Sequence, residues 1–528
     1  MPGRYFRFAT RIRAVAPTLT DCGLATVSAA LVVFSFPDFN LSLLAWIALV
    51  PLLLVLGRKP QTWRCFFTGW LFGSVFFYGS CYWLTYSMIH FGGLPTWLAF
   101  VILLPGAVVM GVFPAVFAAL LARALRSLGA TALLVAPVFW VALEWARLET
   151  TGQLWNALGY SQAYHPMLIQ SARWGGVYAV GFLIVFVNSA ISFALLNRNK
   201  RALTISVVST LLILVAVSVL NSTMSFSAGE SNTTKDIDAV VVAIQPNVPM
   251  DLVKPTEDIR KLTARHFEMS ESALRQLQDI DKPRLLIWPE SPMNFTYGTD
   301  SALRDRLTAF AKANNTAVLL NSQEVAPNDG IYNSALLINQ EGSLVAQYDK
   351  IRLLPFGEYV PLPQWLPGAG LIRAIVGDFT PGTSYRLMPV GDVRQGVFIC
   401  IESAYPAIAR RFTREGADVL INISNDGYLG PTAVMRQHLA NAVFRAVENH
   451  RPVLRVTNSG ITALITPEGE VQDATPGFAA DVRTWTVSRA DLTSTFYTRH
   501  GDLFVIACAC LTLVMFVLSF WQLGVRQS

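Results

Sequence analysis

Three short stretches of the sequence each place a chemically useful residue at the end of an apolar segment: Glu290 in WPES, Lys350 in YDKIR and Cys400 in VFICIES. A carboxylate can take the proton of a thiol, and the resulting thiolate is a nucleophile. A nearby ammonium lowers the pKa of the thiol and stabilises an oxyanion, and the carboxylic acid can return the proton to a leaving group. If the fold brings these residues together, they form a set for covalent catalysis.

Cys400 is the only cysteine between residues 222 and 500. The other five cysteines lie in or beside long apolar segments. The residues from Val397 to Ser403 have the composition of a buried strand. Side chains alternate along a strand, so we expect Cys400 and Glu402 to share one face at its carboxyl end. The competing interpretation is that Cys400 is a small buried hydrophobic residue, the commonest role of a lone cysteine in a soluble domain.

Two further carboxylates belong to the same stretches. Glu358 lies in the long run YDKIRLLPFGEYVP, and Glu402 lies two residues after Cys400. Each candidate also has a purely structural interpretation. Glu290 could be a solvated turn residue or a neighbour of a helix N-cap, and Lys350 a surface charge. Glu358 could be a surface partner of Arg352, and Glu402 a cap of the following helix. The joint occurrence of these residue types with the single cysteine of the region favours catalysis.

The elements that must position these residues alternate between strands and helices over residues 222–500. Apolar strands alternating with helices predict a layered α/β domain, in which functional sites lie beyond the carboxyl ends of strands. The pattern predicts helices at 256–279, 301–314, 405–415 and 431–450. It predicts strands at 238–245, 285–288, 317–320, 333–338, 343–348, 419–424, 453–457, 463–466 and 482–487.

The rest of the chain has the composition of a membrane protein. The 528 residues are 53% hydrophobic and only 14% charged, whereas soluble domains are about 25% charged. A membrane helix needs roughly 20 mostly apolar residues. We predict eight spans, seven in a membrane domain at 1–221 and one at 501–528 followed by a cytoplasmic tail. The candidates are 19–36, 41–57, 65–88, 95–122, 129–147, 174–196, 202–221 and 503–523.

The basic residues between these segments predict their orientation. Lys and Arg are concentrated in cytoplasmic loops, and here they fall in alternate loops, at Arg4, Arg7, Arg11, Arg13, Arg58, Lys59, Arg64, Arg123, Arg126, Arg198, Lys200, Arg201 and Arg526. The termini are therefore predicted in the cytoplasm and the 222–500 domain on the opposite side. The small net charge of +6 does not indicate a nucleic-acid partner. No H-E-x-x-H, G-x-G-x-x-G or P-loop motif occurs, so we expect neither cofactor nor metal.

The three stretches resemble the Glu–Lys–Cys motifs of the nitrilase (carbon–nitrogen hydrolase) superfamily. With the flanking apolar segments, the whole chain resembles the apolipoprotein N-acyltransferases, the membrane-anchored members of that superfamily. The resemblance rests on YDKIRLLPFGEYVP (348–361) and is extended by GYSQ (159–162), GGVY (175–178), NISND (422–426) and RVTNSGIT (455–462). It implies an αββα sandwich on the periplasmic side of a bacterial inner membrane.

The resemblance also implies roles and substrates. Glu290 would be the general base, Lys350 the oxyanion stabiliser and Cys400 the nucleophile, with Glu358 as a second carboxylate that assists and Glu402 in support. An acyl chain would pass from a phospholipid to the cysteine as a thioester. It would then pass to the α-amino group of the N-terminal diacylglyceryl-cysteine of an apolipoprotein. We expect a monomer working among membrane lipids.

Two alternatives to acyl transfer remain open at this point. The first is a membrane-tethered amidase or nitrilase that hydrolyses a C–N bond with the same triad. The second is a non-enzymatic receptor or transport component that keeps only the fold. The intact Glu–Lys–Cys triad argues against this second alternative. The apolar, Pro- and Gly-broken stretch 362–372 is predicted either to pack in the core or to form a mobile arm that dips into lipid and covers the site.

Overall fold

The computed structural model describes residues 16–152, 154–227, 238–251, 254–360, 379–490 and 493–525, without the side chains of 221–227, 328 and 520–525. The chain divides into two compact units, a helical unit (1–229 with 500–528) and an α/β unit (230–499). The predicted arm at 362–372 and the basic residues before residue 16 and at 526 lie outside the described residues.

The helical unit contains short and long helices in sequence. Its helices are α1 (Leu19–Ser35), α2 (Ala45–Ala48), α3 (Val50–Arg58), α4 (Thr62–Ser80), α5 (Leu84–His90), α6 (Thr96–Met110), α7 (Val112–Leu128), α8 (Ala136–Thr151), α9 (Pro166–Ile169), α10 (Ala172–Asn197) and α11 (Lys200–Ser227). Turns of 3₁₀ helix lie at Ser42–Leu44, Gly129–Val135 and Leu158–Gln162. After the α/β unit come α16 (Phe496–His500), which crosses the boundary between the units, and α17 (Leu503–Val525).

Three helical stretches among the described residues are long and apolar enough to cross a membrane: Thr96–Thr151, Ala172–Asn197 and Lys200–Leu220. Shorter apolar helices occupy Leu19–Ser35, Ser42–Arg58 and Leu503–Ser519. The helical unit therefore has the apolar helices of a membrane protein, as its composition predicted.

Three of the segments predicted as continuous are interrupted. The segment 41–57 breaks at Leu49, between α2 and α3. Pro51, just after the break, has no N–H to donate to a helix hydrogen bond. The N–H of Leu49 donates to the side chain of Asn188, at 2.8 Å from Oδ1. The segment 65–88 breaks after α4, in a turn where the indole of Trp83 donates to the Ser80 carbonyl. The segment 95–122 breaks at Gly111, three residues before Pro114. Hydropathy does not register these breaks because each broken segment remains apolar.

The α/β unit contains four helices and twelve strands among its described residues, besides α16 at its boundary. The helices are α12 (Thr256–Arg275), α13 (Ser301–Asn314), α14 (Pro406–Arg414) and α15 (Val434–Asn449). The strands are β1 (Ala239–Gln245), β2 (Arg284–Ile287), β3 (Ala317–Val325), β4 (Ile331–Ile338), β5 (Leu344–Asp349), β6 (Leu387–Val390), β7 (Val393–Ile399), β8 (Val419–Ser424), β9 (Val453–Thr457), β10 (Ala463–Ile465), β11 (Val471–Gln472) and β12 (Asp481–Val487). Turns of 3₁₀ helix lie at Pro327–Asp329, Cys400–Ala404 and Gly427–Leu429.

The strands form two six-stranded sheets of similar design. One has the order β12-β1-β2-β3-β4-β5 and the other β11-β10-β9-β8-β7-β6. In each sheet the three central strands are parallel, β1-β2-β3 in one and β7-β8-β9 in the other, and antiparallel strands flank them. The carboxyl ends of the parallel strands can therefore carry a shared site, as in other α/β sheets.

The sheets pack face to face between two layers of helices. Along β1, Val240, Val242 and Ile244 pack in the apolar core that includes Phe267 of α12 and Leu307 of α13. The alternate residues face the second sheet, where Gln245 accepts a hydrogen bond from Thr457 of β9. On the far side α14 packs against β7. The result is a helix–sheet–sheet–helix sandwich, which confirms the predicted α/β layering.

The sequence pattern located most of these elements and missed two strands. The predicted hairpin of 333–338 with 343–348 is confirmed by the antiparallel pairing of β4 and β5. β6 was missed because it is short and contains Pro389, which is tolerated only because β6 is an edge strand. β11 has only two residues, too few to show an alternation. The helix predicted at 256–279 ends earlier, at Arg275.

Candidate active site

Lys350 is a buried cation held by two carboxylates. Its side chain is only 1% exposed, and Nζ donates to Glu358 Oε1 at 2.8 Å and lies 3.6 Å from Glu290 Oε1. Glu358 Oε2 accepts the N–H of Leu354 at 2.7 Å, which fixes its carboxylate. The structure thus brings three of the predicted site residues together. It overturns the interpretations of Lys350 as a surface charge and of Glu358 as a surface partner of Arg352.

Asn333 on β4 forms a second link between Glu290 and Glu358, in addition to Lys350. Its Nδ2 donates to Glu290 Oε1 at 2.9 Å and to Glu358 Oε1 at 2.7 Å. The amide is held in this orientation because its Oδ1 accepts a hydrogen bond from Asn321 at 2.7 Å. An amide nitrogen has two hydrogens, so both carboxylates are satisfied at once. Sequence analysis missed Asn333, although it is a polar residue within an otherwise apolar strand.

The second sheet supplies a backbone contact to Glu290. The N–H of Asn425, directly after β8, donates to Glu290 Oε2 at 3.1 Å. Both carboxylate oxygens of Glu290 therefore have partners. Oε1 contacts Asn333 and Lys350, which come from the first sheet and its edge, and Oε2 accepts the N–H of Asn425 from the second sheet. Asn425 lies in the NISND run that carried part of the family resemblance, and only the fold shows that it contacts Glu290.

Cys400 lies in a turn and not in a strand, so the prediction that Cys400 and Glu402 share one strand face was wrong. β7 ends at Ile399, and Cys400 begins a 3₁₀ turn with φ of +53°. This left-handed conformation is uncommon for a residue with a Cβ, and it ends the extended chain sharply. Cys400 therefore lies at the tip of β7, and the residue as a whole is partly exposed.

The carboxylate of Glu402 accepts hydrogen bonds mainly from backbone N–H groups around the site. Its Oε1 accepts the hydroxyl of Tyr348 and the N–H groups of Ile351 and Arg352 at 2.8, 2.8 and 3.0 Å, and its Oε2 accepts the N–H of Ile399 at 2.8 Å. Burial raises the pKa of this carboxyl, although the N–H groups of Ile399 and Arg352 act in the opposite direction. Glu402 thus ties the end of β7 to the segment that follows Lys350, a supporting position.

Replacing Glu402 by alanine is expected to lower the free energy of unfolding by about 3 kcal/mol or more. Each buried donor left without an acceptor costs about 1–3 kcal/mol, and four donors lose theirs. Chemical denaturation of the detergent-purified protein measures the effect. Glu415→Ala is the control, because Glu415 pairs with Arg411 on the surface at 2.6 Å and such pairs contribute about 0–1 kcal/mol. Equal stability of the two variants would contradict the assignment.

The charges of the site act on one another. Burial opposes the charge on Lys350, but Glu358 and Glu290 outweigh it and raise the pKa of Lys350 well above its usual value. Withdrawal from water and the charge of Glu290 raise the pKa of the Cys400 thiol, and Lys350 lowers it only in part. At neutral pH the resting site therefore holds the Lys350 ammonium and a protonated Cys400 thiol. That thiol needs a base in order to react.

Two family models match the chain, and they fall on the two units. Residues 28–190 match the apolipoprotein N-acyltransferase N-terminal domain, and residues 241–497 match the carbon-nitrogen hydrolase domain. The apolipoprotein N-acyltransferase of Geobacter metallireducens is 32% identical over 518 residues, covering 96% of this chain and 97% of that protein. The chain belongs to the apolipoprotein N-acyltransferase family. The protein of that name from Allorhizobium ampelinum is 30% identical, covering 82% of each chain.

Among solved structures, this family member is similar over part of its length to Saccharomyces cerevisiae Nit3, a member of branch 10 of the nitrilase superfamily. The two are 19% identical with a TM-score of 0.38, over 47% of this chain and 90% of that one. Among the described residues of this family member, no group of three His, Cys, Asp or Glu side chains is placed to hold a metal ion.

Proposed function

We propose that this chain transfers an acyl chain from a phospholipid to Cys400, and then to the α-amino group of the N-terminal diacylglyceryl-cysteine of an apolipoprotein. The observation that carries the proposal is the buried Lys350, held by Glu290 and Glu358 and acting electrostatically on Cys400. Membership of the family and the apolar helices support a lipid donor, because such a donor is reached from a membrane.

In the first half-reaction Glu290 takes the proton of the thiol as the sulfur of Cys400 attacks the ester carbonyl of the phospholipid. The negative charge that develops on the carbonyl oxygen is stabilised by the ammonium of Lys350. The tetrahedral intermediate then breaks its C–O bond, and the leaving alkoxide takes the proton from Glu290. The products are a thioester at Cys400 and a lysophospholipid.

The second half-reaction uses the same groups. The α-amino nitrogen of the apolipoprotein attacks the thioester carbonyl, and Glu290 takes a proton from that nitrogen. Lys350 again stabilises the oxyanion, and the C–S bond breaks to leave an amide and the Cys400 thiolate, which recovers its proton from Glu290. Glu358 and Asn333 hold Lys350 and Glu290 in place throughout. Positioning of this kind lowers the barrier without any further chemical group.

We further propose eight membrane spans, with the termini in the cytoplasm and the α/β unit on the periplasmic side of a bacterial inner membrane, in a monomer. The basic residues of the helical unit support one cytoplasmic end. Arg64 at the start of α4 pairs with Asp21 at the start of α1, and Arg126 at the end of α7 donates to Thr62. The first turns of α1 and α4 and the last turn of α7 thus lie together, so Arg64 and Arg126 share one end of the helical unit, which supports that end as the cytoplasmic one.

The carbon-nitrogen hydrolase match over residues 241–497 makes a tethered amidase the second candidate. One experiment separates the two. Detergent-purified protein incubated with phosphatidylethanolamine is expected to gain the mass of one acyl chain, removable by hydroxylamine, and to release lysophospholipid. Adding a diacylglyceryl-cysteinyl peptide should remove the adduct and give the N-acyl peptide. Release of ammonia from simple amides, without any acyl adduct from lipid, would instead favour the amidase.

A further inference from the structure

A buried polar chain runs from the nucleophile turn into the second sheet, and the mechanism above does not use it. His438 on α15 has one ring nitrogen, Nε2, 2.9 Å from the carbonyl oxygen of Cys400, and the other, Nδ1, 2.8 Å from Asp426 Oδ1. Asp426 Oδ2 accepts a hydrogen bond from Arg455 Nη2 at 2.8 Å. Arg455 Nη1 donates to Asn422 Oδ1 at 2.5 Å.

Asn422 closes this chain back onto the same turn. Its Nδ2 lies 3.3 Å from the carbonyl oxygens of both Phe398 and Cys400. The carbonyl of Cys400 therefore has two side-chain donors, one from α15 and one from β8. Asp426, His438, Arg455 and Asn422 are each at most 3% exposed, so water does not compete for these contacts. We call these four residues the elbow relay.

The charges of the elbow relay complement one another. Burial disfavours the ionised form of Asp426, but Arg455 and His438 outweigh it and lower the pKa of Asp426 to about 2. Both ring nitrogens of His438 face oxygen atoms, so the contacts to Asp426 and Cys400 are satisfied together only when both nitrogens carry hydrogen. Burial and Arg455 nevertheless lower the pKa of His438, with Asp426 and the Cys400 carbonyl acting in the opposite direction.

The carbonyl that the elbow relay holds belongs to the peptide group between Cys400 and Ile401. In a planar trans peptide the C=O and N–H point in opposite directions. Fixing the carbonyl oxygen therefore fixes the direction of the Ile401 N–H, and it also restrains ψ of Cys400, the torsion next to its left-handed φ of +53° in the turn that presents the thiol. A strained backbone of this kind persists only where its surroundings hold it.

We propose that Asp426, His438 and Arg455 are positioning residues that, with Asn422, hold the Cys400 peptide in its reactive geometry for both half-reactions. This inference rests on the proposed acyl transfer at Cys400. His438 is accordingly not a general base, because neither of its ring nitrogens is directed at a reacting atom. Its contribution acts through the backbone of the nucleophile.

The test compares variants of the full-length protein in detergent. His438→Leu and Asp426→Asn are expected to slow thioester formation from phosphatidylethanolamine by about 10- to 100-fold, the cost of a small misplacement of reacting groups. The KM for the lipid should stay within about twofold, because no contact to substrate is removed. His438→Gln keeps an N–H donor toward the Cys400 carbonyl and is expected to recover most of the lost rate.

Arg451→Met is the matched control for Arg455→Met. Arg451 is also buried, and it donates to the backbone carbonyls of Ala417, His450 and Thr493. Arg455→Met should slow acylation beyond what its loss of thermal stability explains, whereas Arg451→Met should not. Equal losses in the two arginine variants, or full acylation by folded His438→Leu, would overturn the proposal.

A second readout separates this inference from the proposed function. The rate at which iodoacetamide alkylates Cys400, followed by peptide mass mapping, needs no lipid substrate. We expect His438→Leu and Asp426→Asn to lower that rate about tenfold, since the thiol turns away from its base. A lowered alkylation rate in a protein that forms no thioester would support the relay and refute acyl transfer. An unchanged alkylation rate beside normal wild-type acylation would refute the relay alone.

Discussion

The Cys400→Ala variant is expected to form no acyl adduct and no N-acyl product, with a loss of turnover of at least about 10⁴-fold. Removing the nucleophile of a covalent mechanism leaves only binding and electrostatic effects, and comparable deletions in other enzymes cost about 10⁴- to 10⁶-fold. Folding should be little affected, because Cys400 is partly exposed and the change removes a single sulfur atom. Intact mass spectrometry after incubation with phosphatidylethanolamine measures the adduct directly.

Cys510→Ala is the control for this experiment, because Cys510 is an exposed cysteine in α17, outside the α/β unit that holds Cys400. It should retain the hydroxylamine-labile adduct and full transfer. Cys400→Ser tests the same step more finely. A hydroxyl in place of the thiol is a much weaker nucleophile at neutral pH, so we expect at most a slowly formed adduct that resists hydroxylamine. An adduct that persists in Cys400→Ala would place the acyl group elsewhere and refute the mechanism.

The Lys350→Met variant is expected to lose both acyl transfer and stability. Lys350 is the buried cation that contacts both Glu290 and Glu358, and breaking a buried ion pair by removing one partner costs about 3–5 kcal/mol. Without the ammonium, Glu290 and Glu358 are left without their cation, and the developing oxyanion loses its stabiliser. The expected loss of thioester formation is at least about 10³-fold, because an oxyanion stabiliser alone contributes about 10²- to 10³-fold.

Lys261→Met is the matched control. Lys261 lies 3.7 Å from Glu257, but both side chains are exposed, at 69% and 63%, so removing this lysine should change stability by less than about 1 kcal/mol. Thermal unfolding and single-turnover acylation of the two variants give the comparison. If Lys350→Met were as stable and as active as Lys261→Met, the buried cation would have no catalytic or structural role.

The sequence alone determined which residue types could do the chemistry and which elements carry them. The strand patterns before Glu290 and Lys350 are local, and each places its residue just beyond the end of an apolar strand. The apolar segments and the alternation of basic loops are equally local. Such features can be predicted from the sequence because each depends only on the types and spacing of residues that are neighbours in the chain.

The tertiary structure alone determined how these residues are held. Glu290 meets the N–H of Asn425 across 135 positions of sequence, and Asn333 bridges two carboxylates that lie on opposite sides of it in the chain. The turn at Cys400 could not be predicted from VFICIES, because its left-handed backbone is maintained by Asn422 and His438 from other elements. Contacts between residues distant in sequence leave no local periodicity. They exist only because the two sheets pack together, which brings the ends of their strands to one site.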